Sequence, residues 1–307
     1  MKVDPVPGTA SFLQPRILLP FLLIAVIWGS TWLVIKGQLG TVPPSWSVTW
    51  RFLLATFGMF ALVLVRRGRL RLDAEGQLIA AGLGVAQFAL NFQFVYRAEQ
   101  YLTSGLVAVL FALLLVPNSV FGRIFLGQKI TRGFAFGTAI ALAGIALLLL
   151  HEYRIAPSDG GVVLGIVLTL AALLSASTAN VLQATAGAHR QPMFTLLAWA
   201  MLWGTLANVA LAWTIAGPPR FEWTARYIAS VGYLAIIGSI VTFPLYSHLL
   251  RAVGPGRAAY NGVLVPVIAM LLSTLFEGYR WSVLAGAGAA LALAGLVVAL
   301  RARNPSR

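Results

Sequence analysis

The amino-acid sequence predicts an all-α integral membrane protein with ten transmembrane helices. Of its 307 residues, 59% are hydrophobic and only 10% are charged, and the mean hydropathy of +0.87 lies well outside the range of ordinary soluble domains. Apolar runs close to the length of about 20 residues that crosses a bilayer recur along the whole chain and leave no stretch for a separate soluble domain. The predicted spans cover residues 17–36, 45–65, 77–97, 103–123, 132–150, 161–183, 193–216, 226–250, 257–276 and 281–300.

The first apolar run is expected to stay in the mature protein. Lys2 and Arg16 precede it, as basic residues precede the apolar part of a signal peptide, but no small-residue cleavage site follows. We therefore count it as the first span.

The positions of the basic residues predict the orientation of the chain. Of the 22 lysines and arginines, fifteen lie in segments on one side, six lie on the opposite side, and Arg51 lies within span 2. By the positive-inside rule both termini are cytoplasmic. The net charge of +14 is thus explained by topology, because the basic residues sit at span ends and in short loops, and we expect no nucleic-acid partner.

The two halves of the chain resemble each other, which predicts two five-helix repeats over residues 1–156 and 157–307. Because a unit of five spans is odd, the second copy starts on the opposite side of the membrane and the repeats are inverted. Such symmetry is typical of secondary transporters, whose substrate site lies near the midplane between the repeats. The matched pairs are Tyr96 with Tyr246, Pro117 with Pro266 and Gly144 with Gly295, at offsets of 150, 149 and 151 residues.

Three segments carry a family resemblance. IWGSTWLVIKGQLGTVPPSWSVTWRFLLA (27–55) resembles the opening of EamA-type proteins of the drug/metabolite transporter superfamily, and FLGQKITRGFAFGTAIALAG (125–144) and LFEGYRWSVLAGAGAALALAG (275–295) resemble corresponding parts of the two repeats. The resemblance implies a ten-span bundle of two inverted EamA repeats that moves small metabolites, often amino acids, outward across a bacterial inner membrane. The chain departs from the family pattern at Ala176, where a Trp is frequent, and at Gln128, where the first repeat usually has a Glu; Glu277 keeps that Glu in the second repeat.

Trp28, Thr31 and Trp32 are the first candidate substrate-binding residues. Residues three and four apart share a helical face, and Lys36 continues that face toward the outer end of span 1. Two indole rings deep in a span form a flat apolar wall, and small polar residues are tolerated beside a water-filled cavity. Close packing against another helix is the alternative.

Arg51 is the candidate for binding a substrate carboxylate. A charged residue within a span is expensive unless it faces protein or water, and a guanidinium is matched to a carboxylate. The alternative is structural, since a long side chain can reach the interface or bond backbone carbonyls.

The other candidates are polar or aromatic residues within later spans. Amides in apolar surroundings need partners, and bonds between helices would satisfy them as well as a substrate would. Aromatic residues near span ends belong by default to the interfacial belt, although two of them lie deeper. These candidates are Gln87 and Asn91 in span 3, Asn180 in span 6, Trp199 in span 7 and Tyr246 in span 8.

We expect a multi-pass inner-membrane exporter of amino acids with aromatic or large hydrophobic side chains, working by alternating access. The alternatives are an exporter of lipophilic cations, which would be expected to use a buried carboxylate that the sequence does not reveal, and a transporter-like scaffold or receptor. None of the eight acidic residues falls at midplane depth, which favours passive or exchange transport over carboxylate-mediated proton antiport.

We expect neither an enzyme nor a cofactor, and no metal site. The chain has no cysteine and only three scattered histidines, and it shows no convergent catalytic groups at a plausible depth. The expected partners are the lipid bilayer and a small-molecule amino acid substrate, and we expect a monomer. The glycine-rich run GAGAALALAG in span 10 packs helices either within one chain or between two.

Overall fold

The computed structural model describes residues 14–127, 129–155, 161–246, 249 and 261–303, and most of these are helical. Nine of the helices in the described part are long and apolar enough to cross a membrane, and a shorter apolar helix, Asn261–Phe276, completes the set. We number these ten helices in chain order. They are α1 (Pro15–Lys36), α2 (Pro44–Val65), α3 (Ala74–Ala98), α4 (Ser104–Leu126), α5 (Arg132–Ile155), α6 (Gly161–Gln183), α7 (Met193–Ala216), α8 (Ala225–Tyr246), α9 (Asn261–Phe276) and α10 (Val283–Arg303).

The helices begin and end where local chemistry directs. Pro44 stands in the first turn of α2, where its missing N–H costs nothing. The Asp73 carboxylate accepts a hydrogen bond of 2.7 Å from the Gly76 amide and so caps α3. Gly127, with φ of 66°, ends α4 in the left-handed region that favours glycine. The all-helical fold is confirmed, and the described helices match the predicted spans with ends that differ by a few residues. Residues 247, 248 and 250 of predicted span 8, residues 257–260 of predicted span 9, and Gln128 lie outside the described residues.

Contacts between the first five helices and the last five come in matched pairs. α1 packs on α8 and α9, as α6 packs on α3 and α4; α2 packs on α8, as α7 packs on α3. Three further pairs join equivalent helices of the two halves, namely α2 with α7, α4 with α9 and α5 with α10. This arrangement brings α1, α2, α3 and α8 together, and these helices carry most of the predicted site residues.

Both α3 and α8 contain a π-helical segment that the sequence analysis did not predict. The segments are Gly84–Asn91 in α3 and Tyr233–Val241 in α8, which are equivalent positions at the repeat offset. In α3 the close approach of α7 requires glycine, since a Cβ atom at Gly84 would lie 2.8 Å from the Gly204 amide nitrogen. A π-bulge widens a helix locally and is frequent at functional sites.

Glycine also sets the packing of α5 on α10. A Cβ atom at Gly144 would meet the Gly288 carbonyl and the Ala292 backbone, and one at Gly288 would lie 2.7 Å from the Gly144 carbonyl oxygen. The two backbones therefore approach as closely as small residues permit. Gly288 and Gly295 of the glycine-rich run in α10 therefore pack within the chain, against α5.

Candidate substrate site

The Arg51 side chain lies inside the bundle with part of its hydrogen-bonding capacity unused. Arg51 is 3% exposed, and Nε and Nη1 have no hydrogen-bond partner among the described residues. Nη2 donates only a long bond of 3.5 Å to the Ser239 hydroxyl of α8. The guanidinium carbon lies 4.5 Å from the centre of the Phe92 ring of α3 and 5.2 Å from that of Phe52. Aromatic faces stabilise the cation but do not accept its remaining hydrogen bonds.

Helices α1 and α8 meet beside this guanidinium. A Cβ atom at Gly238 would lie 3.0 Å from Thr31 Cγ2 and 3.7 Å from Arg51 Nη2, so a side chain there would crowd the site. The Ser239 hydroxyl donates to the Leu234 carbonyl at 3.0 Å, a bond that the π-helical register provides. Thr31 is 7% exposed and donates to the carbonyl of Trp28 at 2.7 Å. Thr31 and Arg51 therefore both lie close to Gly238 of α8, and their role in substrate binding stays a prediction.

Aromatic rings extend from this polar group along the same helices. The Trp28 ring lies 5.1 Å from Tyr246 and 6.3 Å from Phe243, both on α8. Phe243 in turn lies 6.0 Å from Phe88 of α3. Trp28, Tyr246 and Phe243 are only half-buried, so part of each ring is not covered by the protein.

The chain of rings reaches the guanidinium through α2 and α3. The centre of the Phe52 ring lies 5.2 Å from that of Phe88 and 4.9 Å from that of Phe92. The Arg51 guanidinium lies over the Phe92 ring. Trp32 faces another way and contacts Phe111 of α4 at 5.0 Å. The two tryptophans of α1 therefore contact different helices, and of the two only Trp28 contacts the aromatic residues of α8.

The predicted amides fall into two places. Asn91 directly precedes Phe92, whose ring lies under the Arg51 guanidinium, and it is 3% exposed, with Oδ1 lacking a partner among the described residues. Gln87 lies one turn away and is half-buried. Asn180 instead donates to the Asn118 side chain of α4 at 3.2 Å, which is the helix-to-helix bond that the sequence analysis weighed as the alternative.

The contacts of Trp199 lie apart from the other candidate site residues. Its indole nitrogen donates to the Leu70 carbonyl at 2.8 Å, in the connection between α2 and α3. Its ring contacts Phe60 at 5.6 Å. These contacts tie α7 to a loop on the side predicted to be cytoplasmic, and nothing in them joins Trp199 to Arg51 or Trp28.

Several residues of this group were missed from the sequence: Phe52, Phe88, Phe92, Gly238, Ser239 and Phe243. Phe88 and Phe92 are four residues apart and adjoin the amides Gln87 and Asn91, a signal that would have indicated a shared helical stripe. Gly238 and Ser239 carry no such signal, because their role depends on the π-helical register of α8.

The burial of Glu99 corrects a further expectation. The sequence reveals no buried carboxylate, yet Glu99, directly after α3, is 0% exposed and neither carboxylate oxygen has a partner among the described residues. Hydropathy places this residue in a loop outside span 3, but the ends of α1, α3 and α4 fold over it. Burial here arises from tertiary packing and not from membrane depth.

The comparisons with known proteins agree with this architecture. A family model described as the EamA-like transporter family matches the chain twice, over residues 16–150 and 163–301. The chain belongs to the EamA-like transporter family. The division of this EamA protein at residue 156 stays a prediction.

Relatives of this EamA protein include bacterial proteins that are named as transporters. A probable amino-acid metabolite efflux pump of Salmonella typhimurium is 27% identical over 303 residues, covering 93% of this chain and 96% of the relative. The inner membrane transporter YedA of Escherichia coli is 29% identical over 254 residues, covering 82% and 80%. A solved crystal structure with 20% identity matches with a TM-score of 0.68 and covers 94% of this chain and 98% of the other.

Together these findings define the class of the molecule. The chain is a multi-pass EamA transporter of the bacterial inner membrane. The solved structure supports the fold alone, because its sequence identity is low.

Proposed function

We propose that this EamA protein exports amino acids with aromatic or other large hydrophobic side chains. In this proposal the substrate lies between α1, α2, α3 and α8, and the protein works by alternating access of the two repeats. Two relatives that are described as probable amino-acid metabolite efflux pumps support the substrate class.

The state of Arg51 carries the proposal. Burying a cation without full hydrogen bonding is costly, and Nε and Nη1 offer two donors that no described residue accepts. A carboxylate is the acceptor that a guanidinium matches best, since it takes two parallel N–H···O bonds from one edge, either Nε with Nη2 or Nη1 with Nη2. Nη2 makes a long bond of 3.5 Å to Ser239, so each edge of Arg51 combines an unpartnered donor with a weakly bonded one. An amino acid supplies that group, and its carboxylate would replace the partners that Arg51 lacks.

The rings near Arg51 support a large apolar side chain. Phe92 lies beside the guanidinium, and Trp28, Phe243 and Tyr246 continue the aromatic surface along α8. Aromatic pairs prefer tilted or edge-to-face contacts, so partly uncovered rings of this kind offer surface to an aromatic substrate.

One observation favours a second candidate, the export of lipophilic cations. The buried Glu99 carboxylate is the kind of group such an exporter is expected to use. Arg51 opposes this reading, since its positive charge repels a cation at the aromatic surface. A transporter-like scaffold or receptor is the third candidate function, and such a protein would move no substrate across the membrane.

Counterflow into proteoliposomes tests the proposal. Proteoliposomes that contain the purified protein are loaded with one unlabelled compound at a time, and uptake of the same compound in labelled form is measured. The compounds are tryptophan, phenylalanine, leucine, threonine, glutamate, phenethylamine and a lipophilic cation. We expect the large apolar amino acids to exchange fastest. Preferred flux of phenethylamine or of the lipophilic cation would refute the amino-acid assignment, and no flux of any of them with folded protein would favour the scaffold.

The same liposomes test the mode of transport. We propose passive or exchange transport, so an imposed pH gradient should leave the steady level of substrate unchanged. Accumulation of substrate driven by the gradient would refute that mode without affecting the substrate class.

A further inference from the structure

The predicted outer end of the bundle closes over Glu99. Its carboxylate is fully buried and its two oxygens have no hydrogen-bond partner among the described residues. A charged carboxylate in that state carries a large desolvation cost, whereas the neutral acid does not. The site therefore favours a bound proton over a bare charge.

The turn that contains Glu99 is held from two sides. The Lys36 ammonium at the end of α1 donates to the Glu99 carbonyl and, at 2.9 Å, to the Leu102 carbonyl. On the other side, Glu277 Oε2 accepts from the Ser104 amide at the start of α4, at 2.9 Å. These bonds tie α1 and the residue after α9 to one turn, so the outer end cannot separate while all of them persist.

The charged neighbours do not neutralise Glu99 directly. The Lys36 ammonium is engaged by backbone carbonyls, and the Arg51 guanidinium interacts with Ser239, two aromatic rings and the Tyr96 side chain. Glu277 is a second negative charge, and its Oε1 is buried without a partner among the described residues. The titratable and charged groups around Glu99 are Lys36 of α1, Arg51 of α2, Tyr96 of α3, and Glu277 and Tyr279 between α9 and α10.

We propose that Glu99 is a proton-binding site that controls the opening of the outer end. Glu99 holds a proton while the end is shut and loses it to external water when the turn separates from Lys36 and Glu277. Acid outside therefore favours the shut state and alkali favours the open state. This role rests on alternating access in the proposed function but not on which substrate is carried, and it needs no carboxylate at the midplane.

The size of the effect follows from proton linkage. If the proton affinity of Glu99 differs tenfold between the shut and open states, the ratio of open to shut protein changes by about tenfold across the titration. With a fully buried carboxylate in the shut state and a hydrated one in the open state, we expect at least about a tenfold increase in opening as the external pH rises from acid to alkaline.

A labelling experiment tests the proposal without any substrate. The natural chain has no cysteine, so Ser104→Cys supplies a single thiol at a position that is 0% exposed and whose hydroxyl has no partner among the described residues. Membrane-impermeant maleimide is added outside proteoliposomes at several external pH values with the internal pH held fixed. Because thiols react faster at higher pH, Thr41→Cys in the exposed turn between α1 and α2 gives the reference rate.

The ratio of Ser104→Cys to Thr41→Cys labelling is the readout. We expect it to rise about tenfold or more with external pH, and to stay low and flat when Glu99→Gln, which stays uncharged, is added. Glu99→Asp should keep a pH-dependent ratio. A flat ratio with Glu99 intact would overturn the proposal even if Glu99→Gln does not fold, and so would an unchanged pH dependence in folded Glu99→Gln.

The exposed carboxylate Glu75 provides the matched control. Glu75 pairs with Arg190 at 2.7 Å on the side predicted to be cytoplasmic, so Glu75→Gln removes one negative charge far from the outer turn. The labelling ratio should keep its full pH dependence in this variant, and a loss of that dependence would count against Glu99 as the responsible group.

Discussion

Replacing Arg51 by Met tests whether the guanidinium binds the substrate carboxylate. Met keeps an unbranched apolar stem between the rings of Phe52 and Phe92 and removes both free donors. Hydrogen bonds to a charged partner each contribute about 1.5–3 kcal/mol. Two such bonds at the lower figure amount to about 3 kcal/mol, or roughly a 150-fold loss of apparent affinity for phenylalanine.

Phenethylamine separates binding of the carboxylate from every other effect of the substitution. This compound keeps the aromatic ring and the amine of phenylalanine but lacks the carboxylate, so Arg51→Met should not weaken its competition for the site. The fold of the variant should be unharmed, because replacing an incompletely paired buried charge by an apolar residue is often neutral or stabilising. Loss of the contact with the Phe92 ring offsets part of that gain.

The assay measures inhibition of counterflow by each compound, together with thermal unfolding in detergent. Arg123→Met, at an exposed position of α4, provides the matched loss of one positive charge. Equal losses for phenylalanine and phenethylamine in folded Arg51→Met would refute carboxylate binding. A large fall in melting temperature would make Arg51 a structural residue of the bundle.

Three further predictions concern single positions. Trp28→Ala should slow counterflow of tryptophan more than that of leucine, whereas Trp213→Ala, 55% exposed on α7, should change neither; equal slowing of both substrates would contradict a role in selectivity. Gly144→Val should lower the yield of folded protein, since overpacking costs about 1–3 kcal/mol or more, while Gly286→Val in open space on α10 should not. Backbone hydrogen bonding at the start of α3 lowers the pKa of Asp73, so its contribution to stability is present above about pH 4 and is lost as the pH falls through the lowered pKa. Asp73→Ala should therefore reduce the melting temperature at about pH 7, and the gap should close in acid; a gap that persists there would point to another cause.

The spans could be predicted because membrane helices obey a strong local constraint. Each must satisfy its backbone internally and present about 20 apolar residues to lipid, so hydropathy alone located α2 to within a residue of Pro44–Val65. Arg51 stood out for the same reason, as the one charged residue placed well within a span. Its burial and its contact with α8 agree with the cost of charge in lipid.

The finer features depend on packing between distant segments, which no local pattern records. The π-helical register that aims Ser239 at Arg51 follows from how α8 meets α1 and α2. The burial of Glu99 follows from the contact of its turn with Lys36, 63 residues earlier in the chain. The matched π-helical segments in α3 and α8 become visible only when the backbone geometry of the two repeats is compared.

The separation of the buried charges bears directly on function. A direct bond between Arg51 and Glu99 would be the simplest way to reduce the cost of burying both. Instead, the guanidinium leaves Nε and Nη1 free and the carboxylate leaves both oxygens free of described partners. Paired with each other, neither group would be available to a ligand. Because the two groups are held apart, Arg51 can bind a substrate carboxylate and Glu99 can bind a proton. The electrostatic cost of burying the two charges separately is therefore what makes both proposed binding events possible.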